Sequence, residues 1–334
     1  MADLTLPVLD LSELDRGPSA AAAFREALRA ATRDVGFFYL TGTGVPAALE
    51  ERLHRAARDF FALPEDDKLA IENVRSPHFR GYTRIGGERT QGRVDWREQI
   101  DIGPEREPVT GGPAYNRLIG PNLWPAAQPG LREVVEEWHA ALSAVSRRLL
   151  RAWALSLGAE ESYFDRHFGE PSTLIKIVRY PGTDAPEPQQ GVGAHKDSGV
   201  LTLLWVEPGK GGLQVERDGA WVDAPPVPGA FVVNIGELLE HATGGYLRAT
   251  NHRVLSPRAP EDRISIPFFF NPALDQRLPP IPLPPELAAQ ARGVTADPAN
   301  PIHALYGENA LKSRLRAHPD VAAVHHPDLV GASA

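Results

Sequence analysis

The sequence predicts an α+β protein whose second half forms an antiparallel barrel or a double-sheet jelly roll with flanking helices. Helical periodicity is concentrated before residue 158, and short apolar segments separated by Gly and Pro follow it. No repeat or linker separates two independent units. We expect an amino-terminal mixed α/β region over residues 1–120 and a helix plus β core over residues 121–334, integrated into one unit.

The amino-terminal region is predicted to alternate strands and helices. Pro7–Leu11 and the aromatic Gly36–Leu40 segment are the strands, the second bounded by Gly and Thr-Gly turn residues. Ala20–Val35, rich in Ala, Arg and Glu, and Pro46–Phe61 are the helices. The glycine-rich segment 86–92 matches neither a dinucleotide-binding loop nor a P-loop. We interpret it as a flexible loop, with a lid that closes on the substrate as the alternative.

The longest predicted helix covers Leu131–Leu157. Apolar residues recur there at steps of three and four, which predicts one core-facing stripe. Gly158 follows as the stop. The stripe consists of Leu131, Val134, Trp138, Leu142, Val145, Leu149 and Trp153.

Short strands dominate the sequence after this helix. The Asp218-Gly219 pair between two of them predicts a tight hairpin turn. Strands of this kind joined by Gly and Pro turns are typical of barrels and jelly rolls. The predicted strands are Thr173–Tyr180, Val200–Val206, Leu213–Val215, Trp221–Val222, Phe231–Ile235 and Ile264–Phe270.

The composition limits the possible functions. With 334 residues, 42% apolar and 23% charged, the chain has the composition of a globular protein. A net charge of −8 argues against a nucleic-acid surface. No apolar run has the length of a membrane span, and the start lacks a signal-peptide pattern, so we expect no membrane partner and a cytoplasmic location. The absence of cysteine excludes disulfides, thiolate ligands and a cysteine nucleophile.

The trio His195, Asp197 and His252 is the strongest candidate metal site. His195 and Asp197 are two residues apart, so both side chains share one face if the backbone is extended. His252 lies in a second short extended stretch and arrives from a separate strand. Two imidazoles and one carboxylate occupy one face of an octahedral metal and leave three positions open. This is the ligand set of non-haem Fe(II) oxygenases.

Arg263 and Ser265 suggest a second ligand. Both lie on one face of an apolar predicted strand, and a buried arginine needs an anionic partner. A carboxylate of 2-oxoglutarate would meet the planar guanidinium fork and the hydroxyl, while its keto acid end chelates the iron. An ion pair with an Asp or Glu elsewhere in the protein is the alternative.

At these residues the chain resembles the isopenicillin N synthase-like family of Fe(II)- and 2-oxoglutarate-dependent oxygenases. The similarity covers residues 5 to 310, in family order and spacing. It includes LPVLDL, DVGFFYLTGTGVP and HFRGY near the amino terminus, and then AHKDSGVLTLLW, GGLQVERDGAWVDAPPVPGAFVVNIGELLEHATGG and ATNHRVLSPRAPEDRISIPFFFNP.

The resemblance implies a distorted double-stranded β-helix, that is, a jelly roll. It implies that His195, Asp197 and His252 bind iron and that Arg263 and Ser265 bind the distal carboxylate of 2-oxoglutarate. Two further contacts come from the same source. Tyr180 is expected to contact the co-substrate, and Arg80 lies where isopenicillin N synthase holds a substrate carboxylate. The family often has an asparagine two residues before this tyrosine, and here that residue is Val178.

The implied reaction consumes O2 and 2-oxoglutarate, releases succinate and CO2, and hydroxylates, desaturates or cyclises a small molecule. We expect an amino-acid-derived or natural-product intermediate as the substrate. Phe268 and Phe270 continue the Arg263 strand and are candidates to wall the substrate pocket, with core packing as the default interpretation. Three other functions remain open: a 2-oxoglutarate-independent iron oxidase, a Zn(II) hydrolase and a non-catalytic binding protein on the same fold.

Overall fold

A computed structural model describes residues 5–187, 189–295, 297 and 300–330. Its helices are α1 (Pro18–Asp34), α2 (Ala47–Phe61), α3 (Glu65–Leu69), α4 (Gly130–Ser156), α5 (Glu237–Ala242), α6 (Pro285–Ala288), α7 (Tyr306–Ala317), α8 (Pro319–His325) and α9 (Pro327–Val330). Its strands are β1 (Val8–Asp10), β2 (Phe37–Thr41), β3 (Gly81–Thr83), β4 (Arg89–Thr90), β5 (Arg93–Val94), β6 (Glu98–Ile102), β7 (Ser172–Tyr180), β8 (Gln190–His195), β9 (Leu201–Val206), β10 (Leu213–Arg217), β11 (Ala220–Asp223), β12 (Phe231–Ile235), β13 (His252–Leu255) and β14 (Arg263–Asn271).

Two sheets form the centre of the fold. The large sheet has the strand order β1-β2-β12-β9-β14-β7-β6-β3, and the small sheet has the order β11-β10-β13-β8. All pairs are antiparallel except β1 with β2. Apolar side chains from both sheets, such as Val178 and Val206 from the large one and Val215 and Val254 from the small one, pack in one cluster. The predicted jelly roll with flanking helices is therefore confirmed.

The opposite face of the large sheet packs against α1, α2 and α4. The whole apolar stripe predicted for the long helix is buried in this second cluster. Trp138 packs on Phe231 of β12, and Trp153 packs on Phe38 of β2. The helix ends at Ser156, and Gly158 adopts the left-handed backbone (φ +81°) that favours glycine after a helix.

All six strands predicted for the second half are present. The predicted hairpin turn also occurs, because Asp218 (φ 52°) and Gly219 (φ 79°) join β10 and β11 with Arg217 opposite Ala220. The structure adds β8 and β13 as regular strands, and both are short and mixed in polarity. These are the two strands that contain the candidate metal-binding histidines.

The regions 1–120 and 121–334 share one sheet. β1, β2, β3 and β6 come from the first region, and of these β2 pairs with β12 and β6 with β7 from the second. None of the helices in the described part of the chain is long and apolar enough to cross a membrane.

The core beneath α4 provides a test of the packing. Replacing the fully buried Leu142 with Ala removes side-chain volume between helix and sheet, so we expect a loss of about 2–5 kcal/mol of unfolding free energy. Leu155→Ala is the matched control, because Leu155 lies on the same helix and is 40% exposed. Chemical denaturation of both variants measures the difference, and equal losses would contradict this packing.

Candidate metal and co-substrate site

A cavity of about 1060 Å³ lies between the two sheets. The β4–β5 hairpin and α7 complete its wall. Seven residues singled out in the sequence line this cavity, and Phe268 and Phe270 do not. The seven are His195, Asp197, His252, Arg263, Ser265, Tyr180 and Arg80.

The predicted metal trio meets at one end of the small sheet. His195 is the last residue of β8, and its antiparallel partner across the strand pair is His252, the first residue of β13. Asp197 follows in the turn after β8, with Oδ1 at 3.6 Å from His195 Nε2 and 3.8 Å from His252 Nε2. One ligand atom from each residue lies within 4.8 Å of the others, as a shared ion requires.

Neighbouring groups hold each of these side chains in place. His195 Nδ1 donates to the Gly193 carbonyl (2.8 Å) and His252 Nδ1 to the Thr250 carbonyl (3.2 Å), so that in the neutral form of each ring Nε2 is the nitrogen available to a metal. Asp197 Oδ2 accepts hydrogen bonds from Thr202 and Asn234, so Oδ1 remains available. Such outer contacts orient metal ligands.

The charges of the trio favour cation binding. Burial alone would raise the pKa of Asp197, but His252 and His195 outweigh it and hold that pKa well below its usual range. Burial and the adjacent His195 lower the pKa of His252 to about 4. Asp197 is therefore ionised and His252 neutral at neutral pH, which are the forms that bind metal.

Arg263 is a buried cation that forms no ion pair with the residues that the structure describes. Its side chain is inaccessible to solvent, and Nε, Nη1 and Nη2 all lack hydrogen-bond partners. The guanidinium lies 5.0 Å from the centre of the Tyr180 ring, and the two residues pair directly across β14 and β7. Ser265 lies two residues further along β14 and faces the same cavity. Burial lowers the pKa of Arg263. The predicted alternative, an ion pair with a protein carboxylate, does not occur among the described residues.

Arg80 forms a second, partly satisfied cation in the cavity wall. Nη1 donates to the His78 carbonyl (3.2 Å) and Nη2 to the Leu118 carbonyl (3.1 Å), and Nε has no partner. The guanidinium lies on the backbone of Gly103, where a Cβ would be 2.2 Å from Nη2. Burial and the nearby Arg314 lower the pKa of Arg80 to about 10.

The other cations beside Arg80 are neutralised by carboxylates. Lys176 Nζ contacts Glu88 (3.0 Å) and Asp101 (3.2 Å), and Arg314 contacts Asp101 (2.7 Å). Arg97 completes the group, with Glu88 and Asp95 both at 3.1 Å. Arg80 forms no ion pair with any residue that the structure describes.

The expectation for Phe268 and Phe270 was wrong. Both are fully buried on the helix-covered face of the large sheet, where Phe268 packs on His139 and Phe270 stacks on Phe168. Side chains alternate along a strand, so Arg263, Ser265 and Phe269 share the cavity face. Alternation from Arg263 alone would have selected Phe269.

The glycine-rich segment 86–92 is part of the cavity wall. Arg89–Thr90 and Arg93–Val94 pair as a short hairpin, and the Glu88 side chain before it is buried against Lys176. Thr90 donates to Asp95, whose carboxylate also accepts the Gly193 N–H on β8. These contacts connect the hairpin to the strand that contains His195. Movement of this hairpin as a lid stays a prediction.

Sequence reasoning missed several residues of the cavity. Lys176 had a usable signal, because a lysine inside an apolar strand needs a buried partner. Asn234 had a similar signal within the apolar FVVNI segment. Tyr306 and Arg314 had none, since only folding brings α7 to the cavity.

Comparison with known proteins gives matches along most of the chain. Residues 6–127 match the family model described as the non-haem dioxygenase in morphine synthesis N-terminal domain, and residues 171–272 match the 2OG-Fe(II) oxygenase superfamily. The 2-oxoglutarate-dependent dioxygenase frbJ of Dothideomycetidae sp. (strain 11243) is 38% identical, with 95% of this chain and 90% of that protein covered. A homoarginine-6-hydroxylase of Arabidopsis thaliana is 34% identical, with 83% and 87% covered.

Solved structures have the same fold. A Neurospora crassa protein crystallised with alpha-KG and thymine superimposes with a TM-score of 0.76 at 25% identity, covering 97% of this chain and 98% of that one. JOX2, crystallised with 2OG, Fe and JA, gives a TM-score of 0.73 at 26% identity, covering 93% and 85%. With the predicted family confirmed by these matches, the chain belongs to the 2OG-Fe(II) oxygenases and is a 2-oxoglutarate-dependent dioxygenase that uses Fe(II), 2-oxoglutarate and O2 on a small molecule.

Proposed function

We propose that this enzyme hydroxylates a small carboxylic acid, an amino-acid-derived or natural-product intermediate. In this proposal His195, Asp197 and His252 hold Fe(II), and Arg263, Ser265 and Tyr180 hold 2-oxoglutarate. Arg80 binds the substrate carboxylate. The observation that carries the proposal is the unpaired, buried guanidinium of Arg263 in the same cavity as the three converging ligand atoms.

The donor set fits Fe(II). Two imidazole nitrogens and one carboxylate oxygen converge from one side, and the cavity lies on the other side. With bound Fe(II), 2-oxoglutarate and O2 supply the oxidation, in which 2-oxoglutarate becomes succinate and CO2 as a substrate C–H bond is hydroxylated. The chain's own residues orient the three metal ligands. Thr202 and Asn234 hold the Asp197 carboxylate, and the carbonyls of residues 193 and 250 hold the imidazole rings.

The co-substrate assignment follows from charge and shape. A buried guanidinium without a counter-ion is costly, and a carboxylate ligand removes that cost through paired charge-assisted hydrogen bonds. Ser265 offers a hydroxyl on the same strand face, and the Tyr180 ring supports the guanidinium plane. Val178, where relatives often have asparagine, is fully buried and offers no polar contact, so Arg263 and Ser265 carry the recognition.

The charge balance around Arg80 supports an acidic substrate. Each neighbouring cation of the cavity wall has a carboxylate within 3.2 Å, and Arg80 has only backbone carbonyls. One substrate carboxylate would supply the missing negative charge. Similarity to homoarginine-6-hydroxylases, named for an amino acid, agrees with an amino-acid-derived acid and with hydroxylation as the outcome.

Removing one imidazole tests the metal assignment. His195→Ala should abolish Fe(II) binding and succinate formation, because the two remaining ligands cannot complete the set. His303→Ala is the control, since His303 is exposed and outside the cavity. Anaerobic titration with Fe(II) measures binding. Retention of full Fe(II) affinity in His195→Ala would refute the assignment.

Removing the guanidinium tests the co-substrate assignment. Arg263→Leu should weaken 2-oxoglutarate binding by roughly 100-fold, because two charge-assisted hydrogen bonds are lost at about 1.5 kcal/mol or more each. Anaerobic titration of the Fe(II) form, followed by the visible metal-to-ligand charge-transfer band, measures the dissociation constant. Arg258→Leu, a surface change before the same strand, is the control. Unaltered affinity in Arg263→Leu would exclude this role.

Paired substrates test Arg80. When candidate acids are compared with their methyl esters, the wild type should turn over the acids preferentially. Arg80→Leu should lose most of this preference, about 10-fold or more, since one charged hydrogen bond contributes roughly 1.5–3 kcal/mol. Arg84→Leu is the control, because Arg84 is exposed and pairs with Glu72 outside the cavity. Succinate release is the readout. Undiminished preference for acids in Arg80→Leu would remove Arg80 from substrate recognition.

A further inference from the structure

An unbroken chain of alternating charges crosses the outer face of the large sheet, directly behind Arg263 and Tyr180. Its members, called here the ionic chain, are Glu207, Arg58, Asp262, Arg179, Glu98 and Lys68. Successive nitrogen–oxygen distances along it are 2.5, 2.6, 2.8, 2.8 and 3.3 Å. Nothing in the metal or co-substrate site requires these residues to touch a ligand, because they lie on the other side of the sheet.

The ionic chain joins the ends of four neighbouring strands on one side of the large sheet. Glu207 directly follows β9, Asp262 directly precedes β14, Arg179 lies in β7 and Glu98 begins β6. These strands are adjacent in the order β9-β14-β7-β6. Arg58 reaches the sheet from α2, where it bridges the carboxylates of residues 207 and 262. The amino-terminal helix layer is thereby connected to the strand ends.

Members of the ionic chain flank Arg263 and Tyr180, two of the three residues assigned to 2-oxoglutarate. Asp262 precedes Arg263, and Arg179 precedes Tyr180. On the other side of Arg263, the Ile264 N–H donates to Glu207 Oε2 (2.8 Å). Because side chains alternate across a strand, the ionic residues point outward while Arg263 and Tyr180 point into the cavity. The backbone on both sides of Arg263 is therefore held by ionic contacts.

Among the residues that the structure describes, no hydrogen bond or ion pair fixes the Arg263 side chain. All three guanidinium nitrogens lack partners, so backbone position and packing on Tyr180 determine where the fork lies. A bidentate contact with a carboxylate depends strongly on that position.

The ionic chain differs from ordinary surface ion pairs, which contribute little. The side chains of Glu98 and Glu207 are only 2% and 11% exposed. Burial would raise the pKa of Glu207, but hydrogen bonds from His54 and Arg58 outweigh it and lower the pKa to about 2.

We infer that the ionic chain is a positioning device for the 2-oxoglutarate site, with Arg58 as its central residue. This inference rests on the proposed role of Arg263 and adds a remote determinant of co-substrate affinity. Loss of the Arg58 charge removes the bridge between the Glu207 and Asp262 carboxylates. Asp262 keeps Arg179 and Glu207 keeps His54 as partners, but the ends of β9 and β14 are no longer tied to each other through α2. The start of β14 then shifts and, with it, the guanidinium fork.

The test compares Arg58→Met with Arg52→Met in the full-length enzyme. Arg52 lies on the same helix and pairs with Glu137 on the surface, so the control makes the same change without touching the sheet. Dissociation constants for Fe(II) and for 2-oxoglutarate are measured anaerobically, the latter by the charge-transfer band. We expect Arg58→Met to raise the 2-oxoglutarate constant about 10-fold, the scale of outer contacts at metal sites, and to leave that for Fe(II) unchanged.

Two results would overturn the inference: a 2-oxoglutarate constant equal to that of Arg52→Met, or an equal rise in the Fe(II) constant, which indicates general loosening. If Arg58→Met does not fold, Arg58→Lys decides. Lysine keeps the charge but cannot contact Glu207 and Asp262 at the same time through a planar guanidinium. This variant should weaken 2-oxoglutarate binding without weakening Fe(II) binding. Failure of the proposed function is distinguishable, because Arg263→Leu would then also keep wild-type affinity for 2-oxoglutarate.

Discussion

Side-chain alternation along β14 is the constraint on which both the core and the site depend. Ile264, Ile266 and Phe268 pack outward under the helices, and Arg263 and Ser265 point into the cavity. If the register of β14 shifted by one residue, the Arg263 guanidinium would lie among the apolar side chains under the helices and the Phe268 ring would lie in the cavity. Both changes are costly, so the register is strongly specified, and the same packing energy that holds the sheet also sets the site geometry.

Electrostatic compensation divides the cavity into structural and functional parts. Lys176 and Arg314 are neutralised by carboxylates within the fold and hold the β4–β5 hairpin and α7 against the sheet. Arg263 and Arg80 are left with charge that the described protein groups do not balance. A ligand with a carboxylate offsets the free-energy cost of burying these charges, and its binding stabilises the folded state by mass action.

At the ends of β9, β14, β7 and β6, the inner face of the large sheet contains the co-substrate site and the outer face contains the ionic chain. On the inner face, the Arg263 guanidinium makes no ion pair with any residue that the structure describes. On the outer face, the ionic chain is saturated by its own partners and joins α2 to four strand ends. A rigid outer layer of this kind allows an inner side chain such as Arg263 to be held in place without a direct hydrogen bond.

The sequence by itself determined the element types, the long helix, the Asp218-Gly219 hairpin and the identities of the candidate metal trio. Those features depend on residues close together in the chain or on a motif with few chemical alternatives. The inward position of Phe269 was also contained in the sequence, since it follows from alternation once Arg263 is placed. Only the tertiary structure decided that Arg80 has no ion-pair partner in the described part of the chain and that Arg58 lies behind the co-substrate site. Ion-pair partners come from distant segments, and local periodicity carries no information about which of them meet.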